Sequence, residues 1–421
     1  MNAELRKRAS AEGMPLTDFI LNRISNLRFE TGVGRTLLAV CPNSTSVIIA
    51  ALKSAKRCNA PLKFAATLNQ VDLDGGYTGL TPAEFVKTIR IHAEKLNITS
   101  PIIVAIDHGG PWLKDLHRTE KWQYSKTMEA VKKSFEAAIE AGYDLIHVDP
   151  TVDITLTAGK IIRIETVAER TIELIRHAEE FRRKNGYPRI SYEVGTEEVH
   201  GGLADLQTFR KFLRLLKKGL AEYNLKDVWP CLIVGKVGTD LHTTTFDPAV
   251  AGKLSAIARE YGSFIKGHYS DNVANPEAYP VAGMGAANVG PEFTEREYYG
   301  LMELAEIQDR LMLEGKVARP APVKKVLRDS VIDSGRWKKW LQPGENSGDF
   351  CSLSEERQEW LIKTGCRYIW ENPEVLSARF KLYENLAVWG IDPSEIVESS
   401  IENAIDKYFH KFNLTDLNNL L

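Results

Sequence analysis

The chain reads as an α/β protein, a (β/α)8 TIM barrel with an α-helical C-terminal extension, on three observations. Eight short β-branched or aliphatic runs alternate with segments of helical periodicity. Runs such as CLIV and PIIVAI are apolar nearly throughout, as strands of a parallel sheet buried on both faces require. From Pro320 the texture changes to a Trp- and Tyr-rich stretch without strands.

Taken in order, the expected strands are Thr36–Cys41, Leu62–Thr67, Ile102–Asp107, Leu145–Asp149, Ile190–Val194, Cys231–Val237, Ser263–His268 and Val281–Val289. Helical patterns fill the intervals at Thr45–Asn59, Pro82–Leu96, Ser125–Ala141, Glu165–Lys184, Asp205–Tyr223 and Ala249–Tyr261, with Phe293–Leu313 after the last strand. Only a loop or short helix around Asn275–Tyr279 fits between strands seven and eight. An open doubly wound sheet is the competitor, but no GxGxxG follows the first strand, and eight consecutive units suit closure better. The division expected is residues 1–318 for the barrel and 319–421 for the extension. The aromatics of the extension, including Trp337, Trp340, Trp360, Tyr368, Trp370 and Tyr383, read as packing residues against the barrel or a second copy, which favours a homo-oligomer.

Composition narrows the class of partner. In 421 residues, 54 Lys and Arg against 56 Asp and Glu leave a net charge of −2, and 43% hydrophobic residues supply a core. Such a balance argues against nucleic acid and favours a small molecule. No apolar run approaches the roughly 18 residues of a membrane span, so no membrane partner is expected. Five scattered cysteines without a CxxC argue against a disulfide framework and fit a cytoplasmic location.

In a barrel of this kind the chemistry sits where strands end, because only the βα loops converge on a ligand. Nearly every such position is polar. Asn43, Asn69, Gln70, Thr239, Asp240 and Asn288 are the candidate substrate-binding residues. His108, His242 and His268 follow strands three, six and seven and are the candidate metal ligands; neutral imidazoles on a rigid scaffold suit Zn²⁺, with Mn²⁺, Co²⁺ or Ni²⁺ as alternatives. The competing reading makes each a rim histidine bonded to a carboxylate. His147 shares a face with Asp149 and is expected to orient a ligand, and His200 is held in reserve. The remaining histidines His92, His117, His177 and His410 read as surface or packing residues. Asp107, beside His108, is the candidate proton-transfer residue, with Glu193 and Asp149 as further catalytic carboxylates. Lys236 and Lys266 raise Schiff-base chemistry, against the simpler reading of loop or structural lysines.

These residues lie in longer runs. Asn69-Gln-Val-Asp-Leu-Asp-Gly-Gly-Tyr-Thr-Gly-Leu-Thr-Pro82, Asp107-His-Gly-Gly-Pro111, Ile146-His-Val-Asp149, Glu165-Thr-Val-Ala-Glu-Arg170 and Tyr192-Glu-Val-Gly-Thr-Glu197 resemble the GatZ/KbaZ-like family, as do the later Arg336-Trp-Lys-Lys and Cys351-Ser-Leu-Ser. The resemblance implies a TIM barrel with a helical extension. It implies one of two roles: a metal-dependent epimerase that interconverts ketohexoses at C4, of the fructose/tagatose type, or a non-catalytic subunit that supports a class II tagatose-bisphosphate aldolase partner. Class II aldolases are similar at the Asp-His pair, which assigns proton transfer to Asp107 and zinc ligation to His108.

Around the expected start of the last barrel helix, Glu292, Glu295 and Glu297 compete for the helix dipole and oppose phosphate. The expected substrate is therefore an unphosphorylated ketose or sugar acid. No GxxxxGK[ST] occurs, which leaves a kinase assignment without support.

Overall fold

The computed structural model describes residues 2–157, 160–195, 205–240 and 242–421. Eight parallel strands close on themselves in chain order: β1 (Leu37–Val40), β2 (Leu62–Thr67), β3 (Ile102–Gly109), β4 (Leu145–Val148), β5 (Ser191–Gly195), β6 (Leu232–Val234), β7 (Phe264–Gly267) and β8 (Ala286–Val289). β1 pairs with both β2 and β8, which removes every sheet edge. Helices Thr45–Arg57, Pro82–Lys95, Tyr124–Ala141, Ile164–Lys184, Leu206–Glu222, Pro248–Glu260 and Pro291–Leu313 occupy the intervals at the positions their periodicity predicts. Local signals set their starts. Thr81 and Glu84 form a reciprocal cap ahead of Pro82, and Asp247 accepts from the backbone N–H groups of Ala249 and Val250.

Two elements differ from expectation. The segment expected to begin β8 at Val281 is instead the helix Ala278–Ala282; Gly283, at φ 77°, ends it and returns the chain to the barrel. β6 stops at Val234, and the chain then turns through Gly235 and Gly238, the latter at φ 98°. Two helices that the sequence reading did not include, Ala3–Ala11 and Leu16–Thr31, precede β1. The second closes the barrel end where strands begin: Asp18 accepts from the Ser191 hydroxyl, and Arg28 donates to the carbonyls of Pro280 and Val281.

The C-terminal region is helical, with Val323–Asp333, Glu355–Gly365, Pro373–Ala387 and Pro393–Lys411 as its main helices. Pro393–Lys411 packs between Thr45–Arg57 and Pro291–Leu313. At that crossing a Cβ on Gly300 would stand 2.9 Å from the Cα of Val397, so only glycine allows the helices this approach. The segment Arg336–Trp340 then crosses to the strand C-terminal ends, where Arg336 and Lys339 both pair with Asp115 at 2.6 and 3.0 Å. No helix among the described residues is long and apolar enough to cross a membrane.

Candidate active site

The site begins with a defect in β3. Successive residues of a strand point to opposite faces, so adjacent Asp107 and His108 cannot both face the barrel axis in a regular ladder. Ile106 pairs with Ile146 and Gly109 with Val148, so two residues of β3 oppose the single His147 of β4. This is a β-bulge, and His108 takes up the distortion at φ 49°. Both side chains thereby reach one cluster. The glycines that follow are required by proximity: a Cβ on Gly110 would lie 1.8 Å from the Asp149 carbonyl oxygen, and one on Gly109 would lie 2.7 Å from that of His147.

Three imidazoles converge here. The ring centroids of His108 and His268 are 4.3 Å apart, and His147 lies 5.2 and 5.5 Å from them. One potential ligand nitrogen from each falls within 4.8 Å of the others. Asp149 Oδ2 is 2.6 Å from His108 Nδ1, and the Thr239 hydroxyl donates to the His268 carbonyl at 2.8 Å. Burial, with the positive charges of Lys266 and His108 behind it, takes His268 down to about 3, so its ring stays neutral and its lone pair free for a cation. Burial disfavours charge on His108 too, but Asp107 and Asp149 outweigh it and raise its pKa. The His268 Nδ1 and His147 Nε2 atoms are buried without a hydrogen-bond partner. A set of imidazole nitrogens backed by a carboxylate fits a divalent cation of the zinc type.

Beneath the histidines lies a buried charge network. Lys63, Glu193 and Lys266 are each 0% exposed inside the barrel. Lys63 pairs with Glu193 at 3.0 Å, while Lys266 donates to Glu193 and to Asp107, the latter at 2.9 Å. Burial would raise both carboxylates; the lysines overcome it and hold Asp107 and Glu193 below the usual range. Lys266 is itself raised, since its two carboxylates outweigh burial. A lysine nucleophile needs a depressed pKa, so Lys266, held charged by its two carboxylates, does not suit Schiff-base chemistry.

Above the cluster is a cavity of about 380 Å³, within the range of roughly 300–1,000 Å³ for small-molecule sites. Asp107, His108 and His268 form part of its wall. Glu193 and Asp149 do not line it: Glu193 anchors the two lysines, and Asp149 is spent on His108 and the Thr151 hydroxyl. Both are engaged with protein groups at the foot of the site, Glu193 within reach of Asp107, His147 and His268.

Among the substrate-binding candidates, Asn43, Asn69, Gln70 and Asn288 line the cavity. The first three have their amides engaged by protein. Asn69 bridges the Leu113 carbonyl and the Asp115 N–H, Gln70 holds the Thr67 N–H and the Pro42 carbonyl, and Asn43 joins Gly290 to Tyr77. Asn288 donates to Asp107 Oδ2 at 2.8 Å and keeps its oxygen unpartnered. Thr239 and Asp240 lie off the cavity; Asp240 turns back on the His242 N–H at 2.7 Å.

His242 is a further correction. It lies exposed in the loop after β6, its ring 5.1 Å from Trp360, and it is not part of the imidazole cluster. His147, from β4, completes the trio instead. His200 falls outside the described residues.

The three glutamates also behave differently from expectation. Glu292 pairs with Lys407, Glu295 with Lys363 and Glu297 with Arg379, all cations of the C-terminal region, so none presents an unneutralised charge. Trp340 and Tyr368, expected to be packing residues, are cavity walls instead: with Arg367 they join Tyr77 and Tyr269 around the mouth, and the Tyr77 and Tyr368 rings meet edge to face at 5.2 Å.

Residues 23–412 match the family described as D-tagatose-1,6-bisphosphate aldolase subunit GatZ/KbaZ-like. Among solved structures, a probable tagatose 6 phosphate kinase from Sinorhizobium meliloti 1021 superposes with a TM-score of 0.74 at 21% identity, over 90% of this chain and 100% of that one. Fructose-bisphosphate aldolase from Campylobacter jejuni aligns with a TM-score of 0.56 at 12% identity, over 95% of each chain. At these identities the two structures establish the shared fold.

Proposed function

The chain belongs to the D-tagatose-1,6-bisphosphate aldolase subunit GatZ/KbaZ-like family, and on that premise we propose that it is a metal-dependent sugar epimerase with an aldolase-like site, acting at C4 of a ketohexose or related sugar. The observation that carries this reading is that His108, His147 and His268 converge, and that two of them, His108 and His268, line one cavity together with Asp107. A pure scaffold has no physical need for it. His108, His147 and His268 would hold a divalent ion, Zn²⁺ being the first choice for imidazole donors. When bound, such an ion polarises sugar carbonyl and hydroxyl oxygens.

The protein's own groups divide the remaining work. Asp107 is the cavity-wall carboxylate that lies against the histidines, and it moves a proton to or from the sugar hydroxyl. Lys266 and Asn288 fix its two oxygens, Oδ1 and Oδ2, so the carboxylate keeps one orientation through the reaction. Asp149 and Thr239 hold His108 and His268 in place. Trp340, Tyr368 and Tyr77 wall the mouth and limit water. C4 inversion then follows either from C3–C4 cleavage, rotation and re-addition, or from proton transfers through an enediolate that carry the carbonyl to C3 and so make the C4 proton removable. A cytoplasmic setting suits such a sugar enzyme with five free cysteines.

The test is an assay of the purified chain for C4 interconversion of fructose/tagatose, and of their 6-phosphates and the corresponding sugar acids, before and after chelation and on re-addition of Zn²⁺, Mn²⁺, Co²⁺ or Ni²⁺. Activity lost with chelator and restored by metal supports the reading; inactivity under every condition overturns it.

A second reading, a non-catalytic subunit of a class II aldolase, is favoured by one feature. Leu376 and Phe380, one turn apart on Pro373–Ala387, are exposed together with Val388 and Trp389, an apolar surface suited to a protein partner. Inactivity alone, with stabilisation of a class II catalytic subunit in a mixture, supports that role.

A further inference from the structure

Barrels of this type commonly receive an anion at the loops after strands seven and eight, on the free N–H groups that open the following helix. Here that place is already filled by the protein. Asp271 Oδ1 accepts from the backbone N–H groups of Gly290 and Glu292 at 2.9 and 2.8 Å, at the start of Pro291–Leu313. An acidic ligand group has no donors left there and would meet a carboxylate.

Across the same cavity stands Arg367, from the C-terminal region. It is 5% exposed, and its guanidinium carbon lies 4.6 Å from the Trp340 ring centre and 4.8 Å from that of Tyr368. Its Nε and Nη2 are buried without a hydrogen-bond partner, and no carboxylate pairs with it among the described residues. Those two nitrogens form one edge of the guanidinium, the fork that meets a carboxylate or phosphate through two parallel bonds. Of the other cations at the cavity, Lys339 is paired with Asp115, and Arg118, more exposed than Arg367, gives its Nε to the Trp112 carbonyl. A buried, stacked guanidinium with its fork unsatisfied is costly unless a ligand completes it.

We propose that Arg367 is a specificity-determining residue: it reads an acidic end group, a carboxylate or a phosphate, on an open-chain sugar whose other end lies at the histidine cluster. This rests on the reading of the cavity as a sugar site, but not on turnover. The sugar's acidic terminus is recognised by the C-terminal region rather than by the barrel's helix start.

Calorimetric titration of the full chain with sorbitol, gluconate and sorbitol 6-phosphate separates the end groups on one six-carbon frame. At least one of the two acids binds more tightly than sorbitol by about tenfold or more. Gluconate ahead of the phosphate identifies a sugar acid as the ligand type, and the reverse order identifies a sugar phosphate. In R367M that preference disappears while sorbitol binding is unchanged; R367K, a point charge without the fork, keeps part of it. Equal affinity for all three probes, no saturable binding of either acid, or a preference that survives in R367M overturns the proposal. Thermal unfolding of both variants separates loss of recognition from loss of fold. Because binding is read without catalysis, an inactive chain that still prefers an acid overturns the epimerase reading alone, and an active one indifferent to R367M overturns this inference alone.

Discussion

The Nδ1 of His108 lies 2.6 Å from Oδ2 of Asp149, whose other oxygen accepts from the Thr151 hydroxyl at 2.5 Å. Burial alone would raise Asp149, but the bond and charge of His108, with His147 and Thr151, bring it down to about 2. It is therefore ionised at neutral pH, and by engaging Nδ1 it leaves Nε2 as the nitrogen His108 can offer to a cation. Asp149→Asn lowers Zn²⁺ affinity by roughly 10–100-fold, the usual cost of losing a carboxylate behind a metal-bound histidine. Competition titration with a chromogenic chelator measures this, and unchanged affinity counts against His108 as a ligand.

His147→Ala and His242→Ala form a matched pair. The first removes a member of the cluster and lowers metal affinity by at least about tenfold. His242, against Trp360, is outside the cluster, so its variant stays within about twofold of the parent. The reverse ranking would restore His242 to the ligand set.

Lys266→Met leaves Asp107 and Glu193 short of a buried partner. Urea unfolding should show a loss of roughly 3–5 kcal/mol, the scale on which breaking a buried ion pair destabilises. Adding Glu193→Gln recovers part of that loss if the charge imbalance is its cause; additive losses would mean that the methionine disrupts packing instead.

Asp271 has the opposite electrostatic sense to Asp149. Burial drives its pKa from 3.8 to about 7 against the two N–H bonds, with Glu292 adding to the rise. Its folded form binds a proton more tightly than the unfolded chain does. The stability this contributes is full below about pH 4 and is lost as pH rises through about 7. Asp271→Asn keeps an oxygen acceptor and removes the charge, so it flattens this slope and stabilises the protein above pH 7 by on the order of 2 kcal/mol. Thermal unfolding of both proteins across that range is the check.

Asp115→Ala releases Arg336 and Lys339 together and loosens the segment that crosses the mouth. These pairs are partly exposed, so the stability change is only about 1 kcal/mol. Hydrogen exchange at residues 336–340 rises well beyond the rest of the chain, a local opening that global unfolding would not produce.

The barrel was legible because its strands are apolar runs and its helices carry periodic apolar faces with ordinary caps, as at Thr81 and Asp247. The helix Ala3–Ala11 was not, since it buries only Ala9 and has no apolar stripe to read. At the site, Asp107, His108 and His268 could be recognised because the rim is a fixed place in this fold. His242 could not be separated from them, because how a loop runs after a strand is not written in its spacing. His147 reads from the sequence as an orienting residue only, since nothing in a sequence announces a bulge in the neighbouring strand. Lys63 did carry a signal: a lysine inside Leu62–Thr67, an otherwise apolar strand, must find a buried partner. The return of Trp340, Arg367 and Tyr368 to the mouth is long-range geometry, invisible to local pattern.

That return has a consequence for biosynthesis. β8 ends at Val289, whereas the residues that roof the cavity begin at Lys339, so the cylinder can close on the ribosome while its roof is still being translated. On the proposal made for Arg367, a chain halted in between would own the histidines without the arginine that reads the acidic end of the sugar.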